Sequence, residues 1–435
     1  MPPVRVPDLR HDVVHATLDN GLRVVLAPDR SVPVVAVGVL YDVGIRSEPE
    51  GRTGFAHLFE HLMFQGSATL GKMEHARLVQ SSGGVFNGST HFDYTDYFEA
   101  LPSHALERGL FLEADRMASP RITEENLANQ IAVVEEEIRV NVMNRPYGGF
   151  PWLVLPGVMF DTFPNAHNGY GSFVDLEDAT VEDATGFFQR YYAPSNAVLA
   201  VGGDFDPDDA LALVRKHFAR VKRRARPLRP SFAEPPVTSE RRATTTDQHA
   251  PMPAVAVGYR VPDPAGLTNA YLAVVLLAEI LSDGDASRLT RRLVLREGLV
   301  TDVSAYVGEF GDPFDERDPS VLTVRANYPQ PESLPAILVG IDEELARIAT
   351  DGLGAGELDR FRTRLVTTWL RELDSVLNRT LAFAKFELIF GAAETALDVP
   401  RRLGEITDED VRAAAGALRP ETRTVLELIP GGGPA

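Results

Sequence analysis

The segment Phe55-Ala-His57-Leu-Phe-Glu60-His61-Leu-Met-Phe64 combines an apolar helical pattern with three polar side chains. In a helix, His57 and His61 lie about one turn apart on the same face, a spacing that lets two imidazoles bind one metal ion. Glu60 stands beside them, and a glutamate directly before the second histidine is one of the patterns of zinc hydrolases. Histidine pairs with this spacing also occur by chance, so a metal site requires a third ligand elsewhere in the chain.

The chain contains no cysteine, so the third ligand must be Asp, Glu or His. Residues 127–138 form a helical pattern that ends in Glu135, Glu136 and Glu137. Its apolar stripe consists of Leu127, Ile131, Val134 and Ile138. On a helical wheel Glu136 points away from the stripe toward water, whereas Glu135 and Glu137 flank it on opposite sides. Periodicity therefore leaves both Glu135 and Glu137 open as ligands.

These residues resemble the pitrilysin and mitochondrial processing peptidase family of inverted-motif zinc peptidases, in particular its short bacterial members. Further segments that carry the resemblance are Asn20–Val25, Gly83–Asn87, Thr95–Tyr97, Leu112–Met117, Arg145–Gly148 and Tyr192–Asn196. The family spacing selects Glu137 as the third ligand. The resemblance implies one zinc ion per chain, held by His57, His61 and Glu137, with Glu60 as the general base of peptide hydrolysis. Many relatives carry a second-shell glutamate where this chain has Gln130.

Composition agrees with an enzyme of two domains. The chain has 435 residues, of which 44% are hydrophobic, enough for two cores. The start, Met1 to Arg10, contains no signal-like stretch, and no segment approaches the roughly eighteen apolar residues of a membrane helix, so we expect a cytoplasmic protein without membrane contact. The net charge of −19 argues against nucleic acid as a partner. It fits either cationic peptide substrates or simple solubility.

A repeat divides the chain into two halves. Pro33-Val-Val-Ala-Val-Gly38 recurs as Pro253-Ala-Val-Ala-Val-Gly258, and Pro194–Leu199 is echoed by Pro420–Leu426. Each half alternates strands with amphipathic helices, which predicts an α+β fold of two homologous domains. We expect a zinc-bearing domain at 1–221, a Pro- and Arg-rich linker at 222–249 and a homologous domain at 250–435. The resemblance implies that the halves close like a clamshell around a chamber, with the linker as the hinge.

The second half has no equivalent metal site. Shifting the metal-site positions by the offset of the repeat leads to Leu277, Ile280 and Leu281, which are apolar. We therefore expect the chemistry to belong to the first half alone.

The resemblance also suggests a peptide-binding strand. In the family, the segment that corresponds to Asn87-Gly88-Ser89 is an edge strand to which an extended substrate adds by main-chain hydrogen bonds. Relatives usually carry alanine where this chain has Gly88, and a glycine leaves more room but makes the strand less stiff.

One departure from the family lies in the second half. Active relatives carry an Arg and a Tyr there that hold the substrate carbonyl, whereas this chain has Val294 and Thr301. Arg296 does not restore the pair, because Val303 stands seven residues beyond it. Two-component members of the family divide these tasks between homologous subunits. We therefore expect a zinc-bearing subunit whose homologous partner supplies the Arg and Tyr, and the alternative is a non-catalytic core subunit of a larger complex.

Overall fold

The computed structural model describes residues 9–431. Most of the opening segment Met1 to Arg10, on which the absence of a signal peptide was predicted, lies outside this range, as do residues 432–435. The first half contains a six-stranded sheet with the order β1-β2-β6-β3-β5-β4. Its strands are β1 (Val14–Thr17), β2 (Arg23–Pro28), β3 (Val34–Tyr41), β4 (Val85–Thr90), β5 (Thr95–Pro102) and β6 (Ala197–Gly203). Only β2 and β6 are parallel, and β4 is an edge strand.

The second half repeats this topology in five strands. They are β7 (Arg241–Asp247), β8 (Ala254–Arg260), β9 (Asp302–Val307), β10 (Val321–Asn327) and β11 (Thr424–Pro430). Their order, β7-β11-β8-β10-β9, matches β2-β6-β3-β5-β4, and the one parallel pair, β7 and β11, corresponds to β2 and β6. The predicted α+β duplication is therefore confirmed.

Helices cover both sheets. Those of the first half are α1 (Phe55–Leu62), α2 (Glu74–Ser81), α3 (Leu106–Ala118), α4 (Glu124–Ile138), α5 (Leu155–Met159), α6 (Phe163–Ala166), α7 (Phe173–Glu177), α8 (Val181–Tyr191) and α9 (Pro207–Phe218). Those of the second half are α10 (Asn269–Ser282), α11 (Leu334–Asp351), α12 (Glu357–Asp374), α13 (Val376–Ile389), α14 (Thr395–Glu405) and α15 (Asp408–Ala417). Among the described residues, none of these helices has the length and apolar composition needed to cross a membrane.

Each half packs one of its helices on the sheet of the other half. Helix α13 of the second half packs on β3 and β6 of the first sheet, and α5 of the first half packs on β7, β8 and β11 of the second. A Cβ atom on Gly38 would lie 2.8 Å from Leu381, and one on Gly258 would lie 2.2 Å from Met159. The glycine that ends each copy of the repeated motif is thus the point at which the helix of the other half crosses the sheet. A side chain at either position would have to displace the end of Leu381 or of Met159.

The predicted linker contains more regular structure than its composition indicated. Residues 222–240 form no helix or strand, but Arg241–Asp247 are strand β7, inside the range 222–249 that was predicted as linker. β7 pairs in parallel with β11, which lies at the far end of the chain. The apolar signal of β7 is weak because its residues alternate between half-buried and exposed, so no local pattern revealed it.

In the second half, the helix that corresponds to α1 is α10, and it is part of the hydrophobic core. Leu277, Ile280 and Leu281 lie on α10 and are fully buried in the hydrophobic core of that half. Ten of the fourteen residues of α10 are buried, so its faces are occupied by packing contacts.

Candidate metal centre

Helix α1 begins at a tight turn whose backbone amides bind a buried carboxylate. Gly54 precedes the helix with a φ of 84°, a conformation that favours glycine. The backbone N–H groups of Gly54 and Ala56 donate to Glu48 at 2.8 and 2.7 Å, which satisfies two amides of the first turn. His167 lies 3.1 Å from the same carboxylate, whose pKa is raised by burial.

The apolar face of α1 determines where its polar residues point. Phe55, Leu58, Phe59 and Leu62 are buried in the core of the first half. His57, Glu60 and His61 are only half-buried and face α4 and the edge strand β4.

Helix α4 brings the third predicted ligand to these histidines. Glu137 Oε2 lies 3.3 Å from His61 Nε2, and Glu137 Oε1 lies 3.7 Å from His57 Nε2. Glu135 instead forms a 2.9 Å ion pair with Arg139, and Glu136 has a side chain that is 66% exposed. The structure thus brings His57, His61 and Glu137 together and turns the other two glutamates of the run away.

These three side chains fit a zinc ion. One ligand atom from each of His57, His61 and Glu137 lies within 4.8 Å of the others. Burial and the neighbouring His61 lower the pKa of His57 to about 4, so its imidazole is neutral and able to bind a metal near pH 7. A hydrogen bond with His61 lowers the pKa of Glu137, which keeps it ionised. Two imidazoles and one carboxylate are the donor set of catalytic zinc sites that retain an open position.

A cavity of about 320 Å³, here called the site cavity, lies in front of these ligands. It is lined by Ile45, His57, Glu60, Gly88, Ser89, Thr90, Trp152, Gly169, Tyr170 and Phe310. Glu60 accepts a 2.7 Å hydrogen bond from Thr90 Oγ1. It does not belong to the group of possible metal ligands, which is His57, His61 and Glu137. Burial raises the pKa of Glu60, which favours a carboxylate that accepts a proton readily.

The site cavity also contains an aromatic pair that the sequence motifs did not predict. Tyr170 Oη donates a 3.2 Å hydrogen bond to Glu137 Oε1, and its ring meets that of His57 edge-on at 5.1 Å between centroids. Trp152 packs against Tyr170 at 5.4 Å. The available signal was Tyr170 itself, an aromatic residue between Gly169 and Gly171 in a segment without helical or strand periodicity.

The predicted peptide-binding residues lie on the edge strand β4. Asn87 is exposed, Gly88 is buried and Ser89 is half-buried. Within residues 9–431, β5 is the one strand that pairs with β4, which leaves the other edge of β4 open to a further strand. Gly88 and Ser89 line the site cavity, whereas Asn87 does not.

Ser89 also belongs to a network between the two halves. Its hydroxyl lies 3.0 Å from His91 Nε2, and His91 Nδ1 contacts Asp315 of the second half. This connectivity resembles a Ser-His-Asp triad. Burial alone would lower the pKa of His91, but Asp315 and Asp96 raise it to about 10. A protonated imidazole cannot accept the proton of a serine, so the network joins the halves and does not activate Ser89.

Among its described residues, the second half contributes Phe310 to the lining of the site cavity. Neither Val294 nor Thr301 reaches it, since Val294 packs against the second core and Thr301 bonds to the carbonyl of Asn327 at 3.2 Å. No Arg or Lys is among the described residues that line the site cavity.

A larger cavity lies between the halves and shares Ser89 and Phe310 with the site cavity. Its volume is about 660 Å³. The acidic residues in its wall are Asp96, Glu279, Asp312, Asp315 and Glu372, and the basic ones are His91 and Lys385.

Two family models match the sequence. The model described as insulinase (peptidase family M16) matches residues 23–147, and the model described as the peptidase M16 inactive domain matches residues 178–365. The chain belongs to the M16 family of peptidases. The first match contains His57, Glu60, His61 and Glu137, and the second covers much of the half without these ligands. The resemblance to the pitrilysin-like family is confirmed.

Named M16 relatives are similar along nearly the whole chain. The zinc protease PqqE of Helicobacter pylori is 29% identical over 97% of this chain and 93% of its own length. An uncharacterized zinc protease of Mycobacterium tuberculosis is 28% identical over 92% of this chain and 90% of its own.

Solved M16 structures share the fold. The crystal structure of a protease from Helicobacter pylori superposes with a TM-score of 0.87 at 27% identity, covering 97% of this chain and 99% of that one. The periplasmic protease PqqL of Escherichia coli has a TM-score of 0.77 at 20% identity, and the match covers 97% of this chain and 48% of that protein.

Proposed function

We propose that this M16 protein is a zinc-dependent endopeptidase that hydrolyses short unfolded peptides. The observation that carries the proposal is the convergence of His57, His61 and Glu137 on one point, with Glu60 in the same cavity and outside the ligand set. A bound zinc ion supplies a Lewis acid for the scissile carbonyl and lowers the pKa of water to about 7.

The side chains of this chain perform the remaining tasks. His57, His61 and Glu137 hold the metal, and the free edge of β4 aligns an extended peptide in front of it. Glu60 takes a proton from the attacking water. It returns that proton to the leaving amine nitrogen as the C–N bond breaks. Thr90 keeps the Glu60 carboxylate oriented through its 2.7 Å hydrogen bond.

Glu60→Gln tests this role. The variant should bind one zinc ion per chain, as measured by metal analysis, and cleave peptides about 10² to 10⁴ times more slowly than the wild type. Glu136→Gln, at an exposed position of α4, is the matched control and should cleave normally. Undiminished turnover by the Glu60 variant would remove it from the mechanism.

The substrate class follows from the cavities. A space of about 660 Å³ accommodates a few side chains of an extended peptide but no folded domain. The larger number of carboxylates than cations in its wall favours peptides with Arg or Lys. Cleavage of matched basic and acidic peptide libraries measures this preference.

We further infer that the active form is a heteromer. The family pair of Arg and Tyr is replaced by Val294 and Thr301, and no Arg or Lys from the described part of the second half lines the site cavity. A homologous subunit that carries the Arg and Tyr would supply the missing cationic donor. Affinity purification from the native cell should recover such a subunit and raise the weak activity of the isolated chain. Full activity of the purified chain, with no homologous protein recovered, contradicts this inference.

A non-catalytic core subunit is the second candidate, favoured by the same loss of Arg and Tyr. A core subunit has no need of one zinc per chain, so metal analysis of the native protein separates the two. The predicted cytoplasmic location stays a proposal, and fractionation of the native cell tests it against a periplasmic one.

A further inference from the structure

The loop that carries Tyr170 is fixed to the start of the metal helix. A Cβ atom on Gly54 would lie 2.6 Å from the carbonyl oxygen of Tyr170, and one on Gly171 would lie 2.3 Å from the backbone of Thr53. Both glycines have positive φ values, 84° and 70°. The Thr53 N–H donates to Asp175 at 3.0 Å, which fastens the loop from the other side. Tyr170 is therefore held in position before any ligand binds.

The hydroxyl of Tyr170 lies beside the metal ligands, and Tyr170 lines the site cavity. It stands 3.2 Å from Glu137 Oε1, and its ring lines the site cavity together with Glu60 and His57. Ser89 and Thr90, the last residues of the edge strand β4, line the same cavity from the opposite element. A peptide added to that edge would thus pass between β4 and Tyr170.

The cavity has a deficit of donors for a developing negative charge. Of the second half as far as residue 431, the apolar Phe310 is the one residue in the cavity lining. Thr90 already donates to Glu60, and Ser89 donates to Asp96. Tyr170 is the remaining hydroxyl in the lining, and its present acceptor is a carboxylate that a metal ion would occupy.

We propose that Tyr170 is a catalytic residue that donates a hydrogen bond to the carbonyl oxygen of the scissile peptide as that oxygen becomes negative. In this step the oxygen of water bonds to the carbonyl carbon, and the π electron pair of the C=O bond moves to the oxygen. Tyr170 keeps its proton throughout, while Glu60 carries the proton of water to the leaving nitrogen. The inference rests on the proposed peptidase function. Tyr170, from the first half, would thus supply a hydrogen-bond donor to the carbonyl oxygen, which Val294 and Thr301 do not provide.

Tyr170→Phe in the full-length, zinc-loaded chain tests the proposal, with Tyr191→Phe as the matched control. The Tyr191 hydroxyl donates to the Ser47 carbonyl at 3.1 Å and lies outside the site cavity. The probes are the first peptide that the wild type cleaves and its phosphinic analogue, which mimics the tetrahedral intermediate. Binding of the uncleaved peptide is measured in the Glu60→Gln background.

We expect Tyr170→Phe to weaken phosphinic binding at least tenfold and to lower kcat about 10²-fold, in the range known for loss of one oxyanion donor. Peptide affinity should change less than threefold, and zinc affinity, measured by chelator competition, should not change. Unchanged phosphinic binding overturns the proposal. Equal losses for both probes, or weaker zinc binding, overturn it in favour of a structural role in orienting Glu137.

The same measurements distinguish failure of the underlying function. If the wild type holds no zinc or cleaves no peptide in the presence of its recovered partner, the peptidase function itself is wrong, and the role of Tyr170 is rejected with it. If the wild type is active and Tyr170→Phe equals Tyr191→Phe in every measurement, only the role of Tyr170 is rejected.

Discussion

Thr90 Oγ1 donates a 2.7 Å hydrogen bond to Glu60 Oε2 and so joins the edge strand β4 to the metal helix α1. The bond orients the carboxylate that we propose as general base. Thr90→Val should lower kcat about 10- to 150-fold, since one hydrogen bond to a charged group contributes roughly 1.5 to 3 kcal/mol. Thr90→Ser, which retains the hydroxyl, should remain close to the wild type. A Thr90→Val enzyme with normal kcat would show that the bond has no part in catalysis.

Gly88 is a second residue of β4 that lies close to Glu60. A Cβ atom at residue 88 would lie 3.3 Å from Glu60 Cγ and 3.1 Å from the carbonyl oxygen of Asp96. Gly88→Ala should therefore displace Glu60 and lower kcat several-fold, even though relatives tolerate alanine there. Gly186→Ala, at a helical position with no atom within 4 Å of the added Cβ, should leave kcat unchanged and raise stability by about 1 kcal/mol. Equal kcat values for the two variants would contradict this expectation.

Zinc should stabilise the fold, because its ligands come from two helices that meet only in the folded chain. Free zinc at 100 times its dissociation constant should add roughly 2.7 kcal/mol to the free energy of unfolding. A chelator should accordingly lower the Tm of the wild type in calorimetry. His61→Ala should unfold at the same temperature with and without the chelator. If the chelator does not change the Tm of the wild type, no metal is bound at this site.

A buried acidic cluster behind the metal helix should make stability depend on pH. Glu99 and Glu113 are fully buried, and burial raises the pKa of each to about 7, although Arg116 pairs with Glu113. A carboxyl group whose pKa is higher in the folded state stabilises the fold below about pH 4.5, and this contribution is lost as pH rises through 7. His75, Glu99 and Glu113 also offer ligand atoms within 4.8 Å of one another, but the direct contact of Arg116 with Glu113 fits an ion-pair network better than a metal site.

Glu99→Gln isolates this effect. The variant should match the wild type near pH 4.5 and exceed its stability at pH 8 by up to about 3 kcal/mol, because the buried charge is gone. Denaturant unfolding at both pH values measures the difference. Glu136→Gln, at an exposed position, should show no such dependence on pH. A Glu99→Gln variant that is less stable than the wild type at pH 8 would mean that the ionised carboxylate is compensated by its neighbours.

Several features could be predicted because they depend on local patterns. The helical spacing of His57, Glu60 and His61 predicted their common orientation, and α1 has it. The repeated motif predicted two similar halves, and the two sheets have corresponding strand orders. Periodicity left Glu135 and Glu137 open, and only the family resemblance favoured Glu137. The packing of α4 on α1 places Glu137 at the histidines and leaves Glu135 to Arg139.

Other features have no local signature. Strand β7 lies inside the range predicted as linker, because its pairing partner β11 is at the other end of the chain and leaves no local pattern in β7. The hydrogen bonds of Thr90 to Glu60 and of Tyr170 to Glu137 join residues from separate elements. The exchange of α5 and α13 between the halves explains the repeated glycines Gly38 and Gly258, whose role the motif alone did not reveal.

The sequence by itself predicted that His57, Glu60 and His61 share one helix face, that the fold is a duplicated α+β arrangement, and that the second half carries apolar residues at the equivalent positions. These follow from residue type, helical spacing and repetition, which are properties of short segments. Only the tertiary structure decided which hydroxyl groups surround Glu60 and Glu137 and that Phe310, alone among the described residues of the second half, lines the site cavity. Contacts of that kind depend on how distant segments pack, because the same side chains would point elsewhere if their helices and strands were arranged differently.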